Sequence, residues 1–193
     1  MATPTVRHEE ILQRMTRFLV GHKRLVWIYK RQRWPKVIKA QSDTDWAGCP
    51  VSRKSTNGTV VTFGRHTWWS QSSTQIPISL SSGEAEFYGV VKTGSRGLGM
   101  IQLARDFGFE RNGQLKLVLT TDSSAARGIG LRRGAGKIRH LETGSLWVQQ
   151  AIGLGRFTLD KVDGKKNPAD LLTKPLERAS LVKFLAALGL EWR

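Results

Sequence analysis

Apolar residues Ile11, Leu12, Met15, Phe18 and Leu19 recur at i, i+1, i+4, i+7 and i+8, so residues 8–20 predict an amphipathic helix that Gly21 can end. Leu25–Tyr29 is a short β-type run, LVWIY, followed by a basic turn around Arg31–Lys36 that contains Pro35. Lys36–Asp43, Thr59–Gly64 and Thr67–Gln71 then read as strands, with Gly64-Arg65 as a tight hairpin between the last two. Ser81 or Ser82 caps a predicted helix that runs to about Phe107. Inside it lie Gly89, Gly94, Gly97 and Gly99, each weakening a helix by up to about 1 kcal/mol relative to Ala, so its middle is expected to bend or fray. Leu115, Leu117 and Leu119 alternate with Lys116 and Val118, the clearest strand of the chain. Ser123–Leu131 and Ile138–Ile152 read as helices and Arg156–Val162 as a strand. Asn167-Pro168 is a cap and first turn for a last helical region reaching Leu188. This order implies an α/β fold, a mixed sheet with helices packed on it.

Composition narrows the class. The 193 residues suit one compact domain with at most an appendage, and an apolar fraction of 39% is enough for a core. No apolar run approaches the roughly 18–20 residues of a membrane span, and MATPTVRHEE has no apolar signal core. A single cysteine, Cys49, excludes an internal disulfide framework and a Cys-based zinc cage. The expected location is intracellular, cytoplasmic or nuclear. Charge changes the picture most: 31 Lys+Arg against 15 Asp+Glu leaves +16. The cations run from Arg7 to Arg193 instead of forming a tail, and no basic amphipathic anchor for a membrane stands out. Nucleic acid is the expected partner.

Against that background the acids are conspicuous. Asp43 and Asp45 close the first long strand, Glu84 and Glu86 open the glycine-studded helix, Asp122 ends the Leu-alternating strand, and Asp170 lies at the start of the last helical region. Carboxylates brought together repel unless a cation holds them, and Mg²⁺ or Mn²⁺ suits such oxygen donors. Each acid also has a plainer reading. Asp43 and Asp45 suit a turn, one of Glu84 and Glu86 a helix start, Asp122 an N-cap, and Asp170 the first turn after Asn167. Spacing alone leaves both readings open.

Four blocks, SDTDWAGCPVSRKSTNGTVVTFG, WWSQSSTQIPISLSSGEAEFYG, TTDSSAARGI and NPADLLTKPL, occur in order over roughly residues 40–176. In sequence and spacing they resemble the ribonuclease H domain of copia-type LTR retrotransposon polyproteins. The helix at 8–20 and the LVWIY run resemble the segment joining reverse transcriptase to that domain, which suggests a connection-like segment over 1–35 and an RNase H-like domain over 36–193. No polymerase Y-x-D-D motif is present.

The resemblance implies a five-stranded mixed sheet flanked by helices, with its first three strands antiparallel. It implies a four-carboxylate site of Asp43, Glu86, Asp122 and Asp170 holding two Mg²⁺ ions, for which Mn²⁺ can substitute. Glu86 is favoured over Glu84 because related enzymes carry a small residue three positions after the catalytic glutamate, here Gly89. The implied activity is hydrolysis of the RNA strand of an RNA/DNA hybrid during reverse transcription, leaving 5′-phosphate and 3′-hydroxyl ends. A reverse transcriptase domain of the same polyprotein is a further expected partner, with a virus-like particle as one cytoplasmic setting. An inactive nucleic-acid-binding module is the alternative.

Arg53, Lys54, Arg132, Arg133, Lys137 and Arg139 are the expected phosphate contacts; Ser55, Thr56, Asn57 and Ser123 suit recognition of the 2′-hydroxyl. The sequence departs from the family in four places: the loop before Asp170 lacks the histidine of the cellular enzymes, Cys49 stands where Asp is usual, Thr is usual near Gly83, and Gly89–Gly99 replaces Ala-rich sequence. His140 is expected to be structural or phosphate-facing and His66 a turn residue, while Trp46 and Trp69 are expected to pack under the site or line a groove, with core packing favoured.

Overall fold

A computed structural model of the chain describes residues 3–110, 115–136, 138 and 140–193. In chain order these form α1 (Val6–Gly21), β1 (Leu25–Trp27), β2 (Val37–Asp45), β3 (Thr56–Phe63), β4 (His66–Thr74), α2 (Ser82–Asp106), β5 (Lys116–Thr121) and α3 (Ser124–Leu131). After them come α4 (Trp147–Gly153), β6 (Thr158–Lys161), α5 (Arg178–Ala187) and β7 (Leu190–Trp192). Strands β2 to β6 make one sheet in the order β4-β3-β2-β5-β6. The pairs β2–β3 and β3–β4 are antiparallel, while β5 joins β2 and β6 joins β5 in parallel. The expected mixed sheet is therefore present, its first three strands antiparallel and closed by the Gly64-Arg65 hairpin, where Phe63 pairs with His66.

Alternation along β2 sorts its side chains between the two faces. Ile38 and Ala40 are fully buried in the main apolar cluster with Phe87 and Val90 of α2, Leu117 and Leu119 of β5, and Ile129 of α3. A smaller cluster of Val60, Ala169 and Leu188 has Leu171, Leu172 and Leu190 packed around it.

Helix α2 corrects one expectation. It runs unbroken for 25 residues, capped by the Ser81 hydroxyl, which accepts from the Glu84 amide. Its glycines are contact points, not weak points: a Cβ on Gly97 would lie 2.8 and 2.9 Å from the two methyls of Leu117, and one on Gly89 would lie 2.5 Å from Thr44 Oγ1. Close approach of helix to sheet compensates for poor helix propensity.

Other boundaries moved for identifiable reasons. The helix expected over 138–152 begins only at Trp147, after a single 3₁₀ turn at Thr143–Leu146 that has no side-chain cap. Asn167 does cap and Pro168 does open a helical turn, but it is 3₁₀ and ends at Leu172. Pro175, which has no amide hydrogen, precedes a fresh start at Arg178. The LVWIY run pairs with no strand of the main sheet; β1 joins β7 instead, Leu25 opposite Trp192.

Helix α1 forms as expected but buries none of its residues. Residues after α1 are fastened to the main sheet and its flanks. Gln32 Nε2 donates to the Phe63 carbonyl (3.0 Å), Gln32 Oε1 accepts from the Arg65 amide (2.7 Å), and Trp34 Nε1 donates to the Phe109 carbonyl (2.9 Å). Trp46 and Trp69, expected in the core, are 47% and 38% exposed. Each ring has a polar commitment at its edge or face: Trp46 Nε1 donates to the Ser79 carbonyl, and the Arg96 guanidinium lies 5.3 Å above Trp69.

Two glycines of α2 test this packing account in opposite directions. Gly97→Ala should destabilise the fold by about 1–3 kcal/mol through overpacking against Leu117. Gly99→Ala, whose Cβ would meet nothing within 4 Å, should stabilise by about 0.5–1 kcal/mol through helix propensity alone. Urea denaturation of the two variants beside the parent chain reads both signs.

Candidate active site

Asp43 occupies the last turn of the β2 alternation, on the face opposite Ser42 and Thr44, which lie under Gly89 of α2. Its register partner in β3 is Gly58. A Cβ on Gly58 would sit 2.5 Å from the Ala169 carbonyl oxygen, so glycine there lets the 168–172 turn lie directly on the sheet. Asn167, fully buried, fixes that turn: its Nδ2 donates to the Ser42 carbonyl (2.8 Å) and its Oδ1 accepts from the Ala169 amide (3.3 Å). These contacts bring Asp170 to Asp43.

Asp122 follows the end of β5, the strand parallel to β2. The N-cap of α3 is Ser123, whose Oγ accepts from the Ala126 amide (3.1 Å). The capping reading of Asp122 is thereby corrected, and its carboxylate is left available at the sheet edge. The two glutamates at the start of α2 also separate. Glu84 is 2% exposed and turned away, accepting from the Leu80 amide (3.0 Å) and lying 2.9 Å from His140 Nε2. Glu86 faces the aspartates: one oxygen each from Asp43, Glu86 and Asp122 lie within 4.8 Å of one another. His140 thus has a structural partner, tying its loop to the start of α2. His66 opens β4, with Nε2 2.8 Å from the Lys30 carbonyl.

Burial and mutual repulsion govern the electrostatics of the group. Burial, then the charges of Asp43 and Asp122, push the Glu86 carboxyl up to about 8. Burial and Asp43 also raise Asp122, and they lift Asp170 to about 6. Glu86 Oε2 is buried and accepts no hydrogen bond from any described residue. Two residues that the sequence reading did not single out complete the arrangement. Thr173 Oγ1 donates to Asp43 Oδ2, and Lys174 Nζ lies 3.2 Å from Asp170 Oδ1 and 3.8 Å from Asp43 Oδ2. Burial works against the Lys174 charge, but Asp43 and Asp170 outweigh it and raise its pKa. The signal for Lys174 was its i+4 spacing from Asp170 within the ADLLTKPL block.

An all-oxygen donor set with one buried, unpartnered carboxylate oxygen fits a hard divalent cation such as Mg²⁺ or Mn²⁺.

The expected nucleic-acid contacts divide. Arg53 is exposed and Lys54 half-buried in the loop joining β2 to β3, whose ends pair Asp45 with Thr56, the same end of the sheet as Asp43. Thr56 is half-buried at the start of β3 and Ser123 half-buried at the cap. Ser55 and Asn57 require correction. Both are buried, with Ser55 Oγ accepting from the Ala47 amide (3.1 Å) and Asn57 Oδ1 accepting from Thr44 Oγ1 (3.2 Å) and Gln75 Nε2 (2.6 Å). Their side chains serve the β2–β3 junction and not a groove. Arg132 is also turned inward, its guanidinium donating to the Ala135 carbonyl, whereas Arg133 is exposed. Lys137 and Arg139 lie outside the described residues.

The raised carboxyl pKa values fix the sign of a stability profile without divalent cation. The folded chain keeps on Glu86 a proton that the unfolded chain releases near 4.5, so the stabilisation present below pH 4.5 is lost as pH rises toward 8. Asp170 contributes in the same direction between 3.8 and about 6. Thermal melts in EDTA from pH 4.5 to 8.5 should therefore show a declining contribution to Tm that Glu86→Gln flattens. A slope identical in the variant would contradict the assignment.

No protein-family model matches the chain. It is 29% identical over 159 residues to the retrovirus-related Pol polyprotein from transposon TNT 1-94 of Nicotiana tabacum, covering 79% of this chain and 11% of the relative. It is 27% identical over 189 residues to that from transposon RE1 of Arabidopsis thaliana, covering 98% of this chain and 13% of the relative. The chain thus spans only a small part of the length of these curated relatives. Among solved structures, LC11-RNase H1 isolated from compost is similar at 18% identity and a TM-score of 0.48, over 78% of this chain and 99% of that one. In sequence the chain is similar to the retrovirus-related Pol polyproteins of plant transposons, and its sheet order β4-β3-β2-β5-β6, with the first three strands antiparallel, is the mixed five-stranded sheet that the resemblance implies.

Proposed function

We propose that the chain is a divalent-cation-dependent endoribonuclease that hydrolyses the RNA strand of an RNA/DNA hybrid, leaving 5′-phosphate and 3′-hydroxyl ends. The observation that carries this reading is the convergence of Asp43, Glu86 and Asp122 within 4.8 Å, with Asp170 beside them, at one end of the sheet in a chain of net charge +16. So strong a cationic surface favours a polyanionic substrate, while a compact acidic patch within it repels phosphate unless its charge is neutralised.

Asp43, Glu86, Asp122 and Asp170 are the residues that would hold Mg²⁺ or Mn²⁺, which, when bound, supplies Lewis acidity toward a phosphodiester oxygen and toward water. The chain's own groups do the rest. Asn167 and the Thr173 hydroxyl hold the Asp43–Asp170 pair in register. Ser123 takes over the cap so that Asp122 stays free. Exposed Arg53 and Arg133, with Lys54, are suited to anchor phosphates, and Thr56 and Ser123 are the small polar groups left to meet a 2′-hydroxyl. A reverse transcriptase domain of a longer polyprotein fits as an additional partner, given how little of the relatives' length this chain spans.

The test is cleavage of an end-labelled RNA strand annealed to DNA, in Mg²⁺, Mn²⁺ or EDTA. The parent chain should cut the RNA of the hybrid and leave double-stranded DNA intact, with Asp43→Asn and Asp122→Asn reduced to the EDTA level. Salt-sensitive binding without cleavage in either metal would refute the nuclease and leave a nucleic-acid-binding module.

A further inference from the structure

One charged group in the acidic cluster has no part in the reading above. Lys174 stands at the end of the 168–172 turn, where its amide donates to the Asp170 carbonyl (3.4 Å) and Pro175 stops the helix from continuing. Its ammonium reaches back to two carboxylates at once, 3.2 Å from Asp170 Oδ1 and 3.8 Å from Asp43 Oδ2. Those oxygens belong to two of the four residues that would hold a divalent cation. An ammonium and a divalent cation drawn to the same lone pairs repel each other at such distances, so the two compete for them. Lys174 is also built to leave: its side chain is 43% exposed, whereas that of Asp43 is 2% exposed, and its four-carbon stem gives it room to turn toward solvent.

We propose that Lys174 is a positioning residue, a tethered monovalent cation that holds Asp43 and Asp170 together until a divalent cation takes its place. Cation binding at this site is then an exchange, and Lys174 sets the concentration at which the exchange occurs. The inference rests on the reading of these carboxylates as cation ligands. It differs from the role of Thr173, which donates to Asp43 without bringing any charge.

Mn²⁺ titration by calorimetry, with the whole chain and no nucleic acid, tests the exchange independently of catalysis. Lys174→Met and Lys174→Gln should each bind Mn²⁺ more tightly than the parent, by about tenfold for one full charge removed beside the ion at a partly solvated site. Lys174→Arg, which keeps the charge, should stay within about twofold of the parent on the same reasoning. Lys116→Met removes an exposed lysine from the start of β5, at the other end of the sheet, and should likewise leave the affinity unchanged. Reading two neutral variants keeps the test intact should one fail to fold.

Unchanged or weaker Mn²⁺ binding in the neutral variants, beside a parent that binds, would overturn the exchange while leaving the cation site standing. Equal tightening by Lys116→Met would overturn it too, by showing an effect of net charge alone. If neither parent nor variants bind Mn²⁺, the cation reading of the carboxylates falls and the exchange falls with it.

Discussion

Carboxylates crowded into a partly dehydrated corner repel one another, and the local architecture of this chain is organised around tolerating that repulsion. Asp43, Glu86 and Asp122 arrive from a strand end, a helix start and a second strand end, each rigidly connected to the sheet. At Glu86 burial and then this repulsion lift the carboxyl to about 8. The repulsion is relieved on the other side by the Thr173 hydroxyl and the Lys174 ammonium. A surface of net charge +16 offers long-range relief as well, but through solvent and salt that screen it within about 10 Å. Only groups anchored next to the acids act at full strength.

Fold legibility followed the strength of local signals. The Leu115-Leu117-Leu119 alternation and the Ser81 cap became β5 and α2 almost to the residue. Glycines misled in α2 because their value there lies in contacts with Thr44 and Leu117, residues far away in sequence. The 138–152 region misled for the opposite reason: its apolar residues suit a helix, but His140 is tied to Glu84, 56 positions away. Periodicity carries no information about such a tether.

At the site, the residue types and the blocks that contain them pointed to the four acids, while the neighbours that position them were harder to see. Asn167 was legible as a cap and is one, yet its bond to the Ser42 carbonyl across 125 positions is what brings the Asp170 turn to β2. Ser55 and Asn57 looked like surface polar residues because nothing in a run of Ser, Thr and Asn shows which side of a strand it lines. The apolar support beneath Asp170 is also thin, a cluster centred on Val60, Ala169 and Leu188, compared with the eighteen buried residues of the main cluster. Stability is correspondingly uneven, and the Asp170 turn depends more on its hydrogen bonds than the rest of the site does.

The pairing of β1 with β7 bears on how the chain responds to being pulled. Leu25 lies opposite Trp192 and Trp27 opposite Leu190, so the outward-leading ends of both strands leave from the same end of the ribbon. Tension applied through flanking chain therefore loads its few hydrogen bonds one after another, like a zip, and never all together in shear. Once the ribbon parts, the load passes straight to the edge of the main sheet, where Thr67 Oγ1 of β4 donates to the Leu188 carbonyl and Gln32 Nε2 donates to the Phe63 carbonyl. Asp43, on β2, and Asp122, just past β5, lie further in.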